Sequence, residues 1–406
     1  MNNFSKPTNW QTVTLETLVA DTQLGTTERG EDEGGSSIDL IKMGNLTWGG
    51  LALVEVERVS LRKLNGQADL LQVGDLLFNT RNSADLVGKS AIWRDSNIQA
   101  TFDNNINRIR LLDFAHPEFF GAYLNTGGGK KSVQSLAVGS TSVAAIYWKD
   151  LRKLKVPLPP LPEQRKIAEI LRTWDEAIEK LEALRAANLQ RRIWMRTHLF
   201  TGRARLLGYT GEWREVALGE VLTEHGLQGT GAEEVFSVSV HKGLINQIEH
   251  LGRSFAAAET GHYNRVLPGD IVYTKSPTGN FPLGIIKQSK ISAEVIVSPL
   301  YGVFTPATRA LGVILDALFE SPIAVRNYLH PLVQKGAKNT IAITNRRFLE
   351  GKLRLPKDHA EQSAIAEVVE VSQAELTAIE AEIEALTCQK RGLMQKLLTG
   401  EWRVAV

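Results

Sequence analysis

A segment in the middle of the chain returns near its end. Pro162-Glu163-Gln164-Arg165-Lys166-Ile167-Ala168-Glu169-Ile170-Leu171 is echoed by Ala360-Glu361-Gln362-Ser363-Ala364-Ile365-Ala366-Glu367-Val368-Val369, and Glu163 and Glu361 lie 198 positions apart. The same offset pairs Leu199-Phe200-Thr201-Gly202 with Leu397-Leu398-Thr399-Gly400, and Thr141-Ser142-Val143 with Asn339-Thr340-Ile341. Looser matches lie further upstream. Trp10-Gln11-Thr12-Val13-Thr14-Leu15 resembles Trp213-Arg214-Glu215-Val216-Ala217-Leu218, and Val73-Gly74-Asp75-Leu76-Leu77-Phe78 resembles Pro268-Gly269-Asp270-Ile271-Val272-Tyr273. Between these anchors the halves diverge. A repeat of this length predicts the order globule, helix, globule, helix, with similar frames and different fillings. The 406 residues suit two to three domains.

Glu163 to about Phe200 reads as one helix. Ile167, Leu171, Trp174, Ile178 and Leu181 alternate spacings of four and three, the pattern of a coiled-coil seam. The prolines of 157–162 end the preceding strand and preset the first helical turn, and Gly202 supplies a stop. In the second copy Asp358 and Glu361 have capping-box spacing. There Ile365, Leu376, Ile379, Ile383, Leu386, Leu393 and Leu397 supply the apolar positions. Each helix is expected to run roughly 55 Å. Neither can bury its stripe alone, so an antiparallel pair is expected, acting as a spacer of fixed length.

Each globule reads as an α+β module with a mostly β core. Short strands are expected at Asp75–Thr80, Lys89–Trp93, Asn107–Leu112 and Leu151–Pro157, then at Asp270–Thr274, Leu283–Lys287, Val295–Phe304 and Lys352–Leu355. Helices are expected at His116–Leu124 and Thr308–Leu329. The domain plan is 1–156, 157–202, 203–355 and 356–406.

Polar loops follow the strands. Thr80, Arg81, Asn82 and Ser83 lead to Lys89 in the first module; Lys275, Ser276, Thr278 and Asn280 occupy the matching loop in the second. Ser140, Thr141 and Ser142 form a further loop, matched by Lys338, Asn339 and Thr340, while Asn104, Asn105, Lys130 and Lys131 add amides and cations to the first module. Such groups donate to phosphates and to base edges in the major groove, which makes these residues the candidate DNA contacts.

Several catalytic readings fail. Gly127-Gly128-Gly129-Lys130-Lys131-Ser132 lacks the glycine four residues before the Gly-Lys pair that a phosphate cradle needs, as does Gly88-Lys89-Ser90; both are expected to be structural turns. There is no Asn/Asp-Pro-Pro-aromatic motif and no dinucleotide fingerprint. His241, His250 and His262 lack metal-ligand spacing, and a single cysteine, Cys388, excludes an internal disulfide. Asp75 and Asp270 read as parts of Gly-Asp turns. No apolar run approaches the ~18 residues of a membrane span, and Met1 to Trp10 does not have the order of a signal peptide, so a cytoplasmic location is expected. A formal net charge of only +2 suits a chain that works inside a larger complex better than an independent DNA binder.

Taken in order, the Trp10 opening, Gly74-Asp75-Leu76-Leu77-Phe78, Arg81-Asn82-Ser83, Leu86-Val87-Gly88-Lys89-Ser90, Gly139-Ser140-Thr141 and Pro157-Leu158-Pro159-Pro160-Leu161-Pro162-Glu163-Gln164-Arg165-Lys166-Ile167-Ala168 resemble the specificity subunit of type I restriction–modification systems. The likeness spans essentially the whole chain. It departs where Leu355-Pro356-Lys357-Asp358-His359-Ala360 replaces the proline-rich lead of the second helix.

The resemblance implies two mostly-β target recognition domains, joined by two long helices in an antiparallel coiled coil and related as a pseudo-twofold repeat. It implies that each domain reads one half of an interrupted site in double-stranded DNA, and that the helices set the unread gap. Two modification subunits, carrying S-adenosylmethionine and methylating adenine, would dock on the helical regions. Restriction subunits using ATP and Mg²⁺ would join them. The target adenine would be flipped into a partner's pocket, leaving this chain with no cofactor or catalysis of its own. The competing expectations are a single-chain nuclease or methyltransferase, opposed by the missing motifs, and a structural adaptor with two protein-binding modules.

Overall fold

The computed structural model describes residues 10–32, 35–248, 260–335 and 341–405. His250 and the Lys338–Asn339–Thr340 loop lie outside the described residues. The chain divides into two compact units, one of residues 1–181 with 382–406 and one of residues 182–381. Each long helix contributes half its length to each unit.

In the first unit the strands are β1 (Gln11–Thr14), β2 (Val19–Leu24), β3 (Ser37–Ile41), β4 (Glu57–Ser60), β5 (Leu76–Asn79), β6 (Arg81–Asn82), β7 (Ser90–Ile92), β8 (Ala100–Phe102), β9 (Ile106–Leu111), β10 (Val138–Gly139), β11 (Ala144–Ala145) and β12 (Lys155–Leu158). Its helices are α1 (Pro117–Leu124), α2 (Gly127–Gln134), α3 (Trp148–Leu151) and the first half of α4 (Leu161–His198). The main sheet has the order β2-β9-β5-β7, and all its pairings are antiparallel. Leu76, Leu77 and Phe78 are all buried because both faces of the sheet are covered. Leu76 and Phe78 join Phe119, Phe120, Ile167 and Leu171 on one side, whereas Leu77 joins Trp93, Phe102 and Ile106 on the other. Each such side chain contributes about 1.5–3 kcal/mol on burial.

The second unit repeats the plan with β13 (Trp213–Ala217), β14 (Leu222–Thr223), β15 (Phe236–Ser239), β16 (Gly243–Asn246), β17 (Asn264–Val266), β18 (Ile271–Tyr273), β19 (Ile286–Gln288), β20 (Val295–Val297), β21 (Gly302–Pro306), β22 (Gln334–Lys335), β23 (Ile341–Ala342) and β24 (Lys352–Pro356). The helices are α5 (Arg309–Phe319), α6 (Pro322–Leu329), α7 (Asn345–Glu350) and the first half of α8 (His359–Leu398). Its main sheet, β14-β21-β18-β19, matches the first strand for strand, and β13-β24 matches β1-β12. Ile271 and Tyr273 face one core and Val272 the other. The Gly-Asp turns also match. Gly74 and Gly269 have positive φ, and Asp75 and Asp270 are buried, accepting from the amides of Gln72 and Leu267 at 2.8 and 2.7 Å.

The helices pair antiparallel. Asp175 meets Lys390 within the first unit, and Arg191 meets Glu375 within the second, so numbers rise on one helix as they fall on the other. Among the expected seam residues Ile167, Leu171, Ile365, Leu376 and Ile379 are buried; Trp174, Ile178, Leu181, Ile383 and Leu386 are half-buried. The heptad also contains Asn188 and Ser372, both buried. A buried asparagine at such a position fixes register at a cost in stability. Cys388 is exposed on α8. Among the described residues no helix is long and apolar enough to cross a membrane.

Four local expectations are corrected. Residues 127–132 are not a turn but the start of α2, which opens with Gly127 at φ +51° and lays Gly129 on the Tyr123 carbonyl, where a Cβ would come within 2.1 Å. Val295–Phe304 is two strands, separated by a turn in which the Tyr301 amide donates to Ser298. Thr308–Leu329 is two helices, because Pro322 cannot donate and Ser321 caps a new start through Ala324 at 3.3 Å. The Leu151–Pro157 run opens as the end of α3, and its strand starts only at Lys155.

Candidate nucleic-acid interface

Strand β6 places the first polar loop against the second. In the order β10-β11-β6, Arg81 and Asn82 lie opposite Ala145 and Ala144, and the Ala84 amide donates to the Thr141 carbonyl at 3.0 Å. Ser140 and Ser142 are joined through their hydroxyls at 3.2 Å. Gly139, at φ +129°, permits this hairpin, since a Cβ there would stand 2.4 Å from the Val143 carbonyl oxygen.

Buried Asn79 organises the cluster. Its Nδ2 donates to the carbonyls of Arg81 at 3.1 Å and Asn105 at 3.2 Å, and its Oδ1 accepts from Asn82 at 3.1 Å. Thr80 donates to the Asn105 carbonyl through both its amide and its hydroxyl. Ser83 donates to Asp85 at 2.6 Å, which lowers the Asp85 pKa. The structure therefore brings Thr80, Arg81, Asn82, Ser83, Asn104, Asn105 and the 140–142 loop together. Most of their polar side chains are engaged locally, but Arg81 and Asn104 are exposed and have no side-chain partner among the described residues.

The remaining lysines lie elsewhere. Lys89 precedes β7, with its charge acting on Asp85. Lys130 sits 3.5 Å from the centre of the Trp48 ring, and desolvation pushes its pKa down. Lys131 borders a cavity of about 630 Å³ with Met394 and Thr399 of the second long helix region. In the second unit Lys275, Ser276, Thr278 and Asn280 are exposed in the loop after β18, where Thr278 and Phe281 exchange backbone hydrogen bonds at 3.1 and 2.9 Å. Partial desolvation lowers the Lys275 pKa against the opposing field of Glu224. The loop closes on Gly284, at φ +107°, where a Cβ would lie 1.8 Å from the Thr274 oxygen.

Residues missed in the sequence complete the patch. Thr22, Leu24, Tyr147 and Trp148 line a cavity of about 280 Å³ together with Thr80, Arg81 and Asn104. The available signal was the aromatic pair placed directly after the serine loop.

A second repeated constellation ties each globule to the helices. Glu163, 1% exposed, accepts from Trp10 Nε1 at 3.0 Å and from Arg403 at 2.6 and 2.8 Å. Glu361, 0% exposed, accepts from Trp213 Nε1 at 3.2 Å and from Arg205 at 2.6 and 2.7 Å. This corrects the capping-box expectation. Asp358 does cap, accepting from the Ala360 amide at 2.9 Å, but the Glu361 carboxylate is turned to Arg205 and Trp213. Among the described residues no His, Cys, Asp and Glu group is arranged to hold a metal ion.

One frame is thus used twice, with different polar loops. Residues 8–188 match the family described as the type I restriction modification DNA specificity domain. Over 389 residues the chain is 24% identical to the putative type I restriction enzyme MjaX specificity subunit of Methanocaldococcus jannaschii, covering 91% of this chain and 85% of that protein. Its fold is similar to the type I restriction-modification S subunit from M. genitalium, with a TM-score of 0.61 and 17% identity over 98% of each chain. A chain from a structure on complex assembly and conformational transition of the type I R-M system matches at a TM-score of 0.53 and 17% identity, over 98% of this chain and 100% of that one. Residues 8–188 thus match a type I restriction–modification DNA specificity domain, and the chain as a whole is similar to type I specificity subunits.

Proposed function

We propose that each unit reads one half of a bipartite, interrupted site in double-stranded DNA and so directs partner subunits to it. The observation that carries this reading is the pair of matching frames whose loops differ: Thr80-Arg81-Asn82-Ser83 against Lys275-Ser276-Pro277-Thr278. Two modification subunits would supply S-adenosylmethionine and methylate adenine; restriction subunits would supply ATP- and Mg²⁺-dependent cleavage. The exposed apolar side chains of Leu184, Leu189, Ile193 and Trp194 on α4 suit protein docking on the helical region. The antiparallel pair would set the length of the unread gap. A duplex turn of about 34 Å is well within the reach of a helix of 38 residues, about 57 Å long.

The test is site selection from randomised duplexes by the chain in complex with its methyltransferase subunit. Two separated blocks of sequence are expected, and exchanging residues 79–83 and 139–143 should change one block alone. Salt-insensitive failure to bind any duplex would instead favour a protein-binding adaptor.

A further inference from the structure

The cavity beside Arg81 differs from an ordinary phosphate contact in its walls. Leu24 is 59% exposed and Tyr147 48% exposed, and both border it with Trp148. A phosphate gains nothing from such surfaces, whereas a base presents an apolar face and thymine presents a methyl group. At the rim stand Arg81 and Asn104, both exposed and without a side-chain partner among the described residues. Asn79 holds the Arg81 and Asn105 carbonyls, and the Asn104 amide donates to the Thr26 carbonyl at 3.1 Å, so the backbone at both rim residues is fixed in advance.

The second unit keeps the frame here and changes the contents. By strand register, Thr22 corresponds to Glu224 and Thr80 to Lys275. At the start of the following short helix, Tyr147 and Trp148 are replaced by Thr344 and Asn345. Asn345 donates to Glu224 at 2.5 Å. An aromatic, apolar pocket in one unit thus becomes a charged and amide-bearing surface in the other.

We propose that this cavity is the base-reading pocket of the first unit, resting on the DNA-recognition reading above. Arg81 donates its paired N–H groups to the O6 and N7 of guanine. Asn104 reads an adjacent adenine edge, and Leu24 and Tyr147 pack on a neighbouring thymine methyl.

The test is genome-wide mapping of methylated adenine by the complete complex carrying Arg81→Ala, Arg81→Lys, Asn104→Ala or Tyr147→Ala. All three side chains are solvent-facing, and an unchanged base preference in the second half-site reports that each variant folds. Arg81→Ala, Arg81→Lys, Asn104→Ala and Tyr147→Ala should each relax one or two positions of a single half-site, with roughly 10- to 100-fold loss of discrimination against the wrong base. Slower methylation with an unaltered motif would mean phosphate contact and overturn the proposal. So would an altered motif in both halves. A wild-type complex that shows no bipartite motif would overturn the underlying reading as well, which separates the two failures.

Discussion

Glu163 and Glu361 show how much of this fold rests on single buried carboxylates. Replacing Glu163 with alanine leaves the buried Trp10 indole N–H without its acceptor and frees Arg403. The expected loss is roughly 1–3 kcal/mol, since a buried donor without a partner keeps its desolvation cost. Amide exchange should accelerate in β1 and in residues 382–405 but not in the second unit. Glu361→Ala should give the mirror result, and equal loosening of both units would contradict it. Gly284 makes a sharper local prediction. Its φ of +107° and the 1.8 Å approach of a Cβ to the Thr274 oxygen make Gly284→Ala cost more than about 2 kcal/mol in a denaturation series. Gly30→Ala, at φ +74° with nothing within 4 Å, should cost less. Neither clamp was legible in the sequence, because Glu163 lies 153 residues from Trp10 and 240 from Arg403. The repeat registered each residue as an anchor without showing that the three meet.

At the scale of elements, legibility followed period and punctuation. The long helices were readable from their heptads and flanking prolines, and the Gly-Asp turns from their recurrence before apolar strands. Helix α2 was not, because three successive glycines carry poor helix propensity and only packing on the Tyr123 carbonyl makes them helical. The break in Thr308–Leu329 was written in Pro322 but hidden by an unbroken apolar pattern on both sides. Tyr147 and Trp148 fell between the serine loop and the next expected strand, so the pocket emerged only when β11 was placed beside β6. A test of the spacer belongs here. Inserting four residues near Leu184 adds about 6 Å while nearly preserving the seam's phase. Site selection should then return a gap longer by about two base pairs, with both half-sites unchanged. An unchanged gap would refute the spacer role.

For the whole molecule, the governing feature is duplication with divergence. Two matching four-stranded sheets hold different loops, so changes in one unit should leave the other's target intact. On the proposed reading, binding should also weaken steeply with salt, because the loops bearing Arg81 and Lys275 would meet phosphates as well as bases. The most direct measurement is to co-express the chain with its methyltransferase subunit and map methylated adenines across genomic DNA. An interrupted motif with two distinct halves, absent when this chain is omitted, is the predicted result. Methylation that is missing, or that persists unchanged without the chain, would contradict its role in choosing the site.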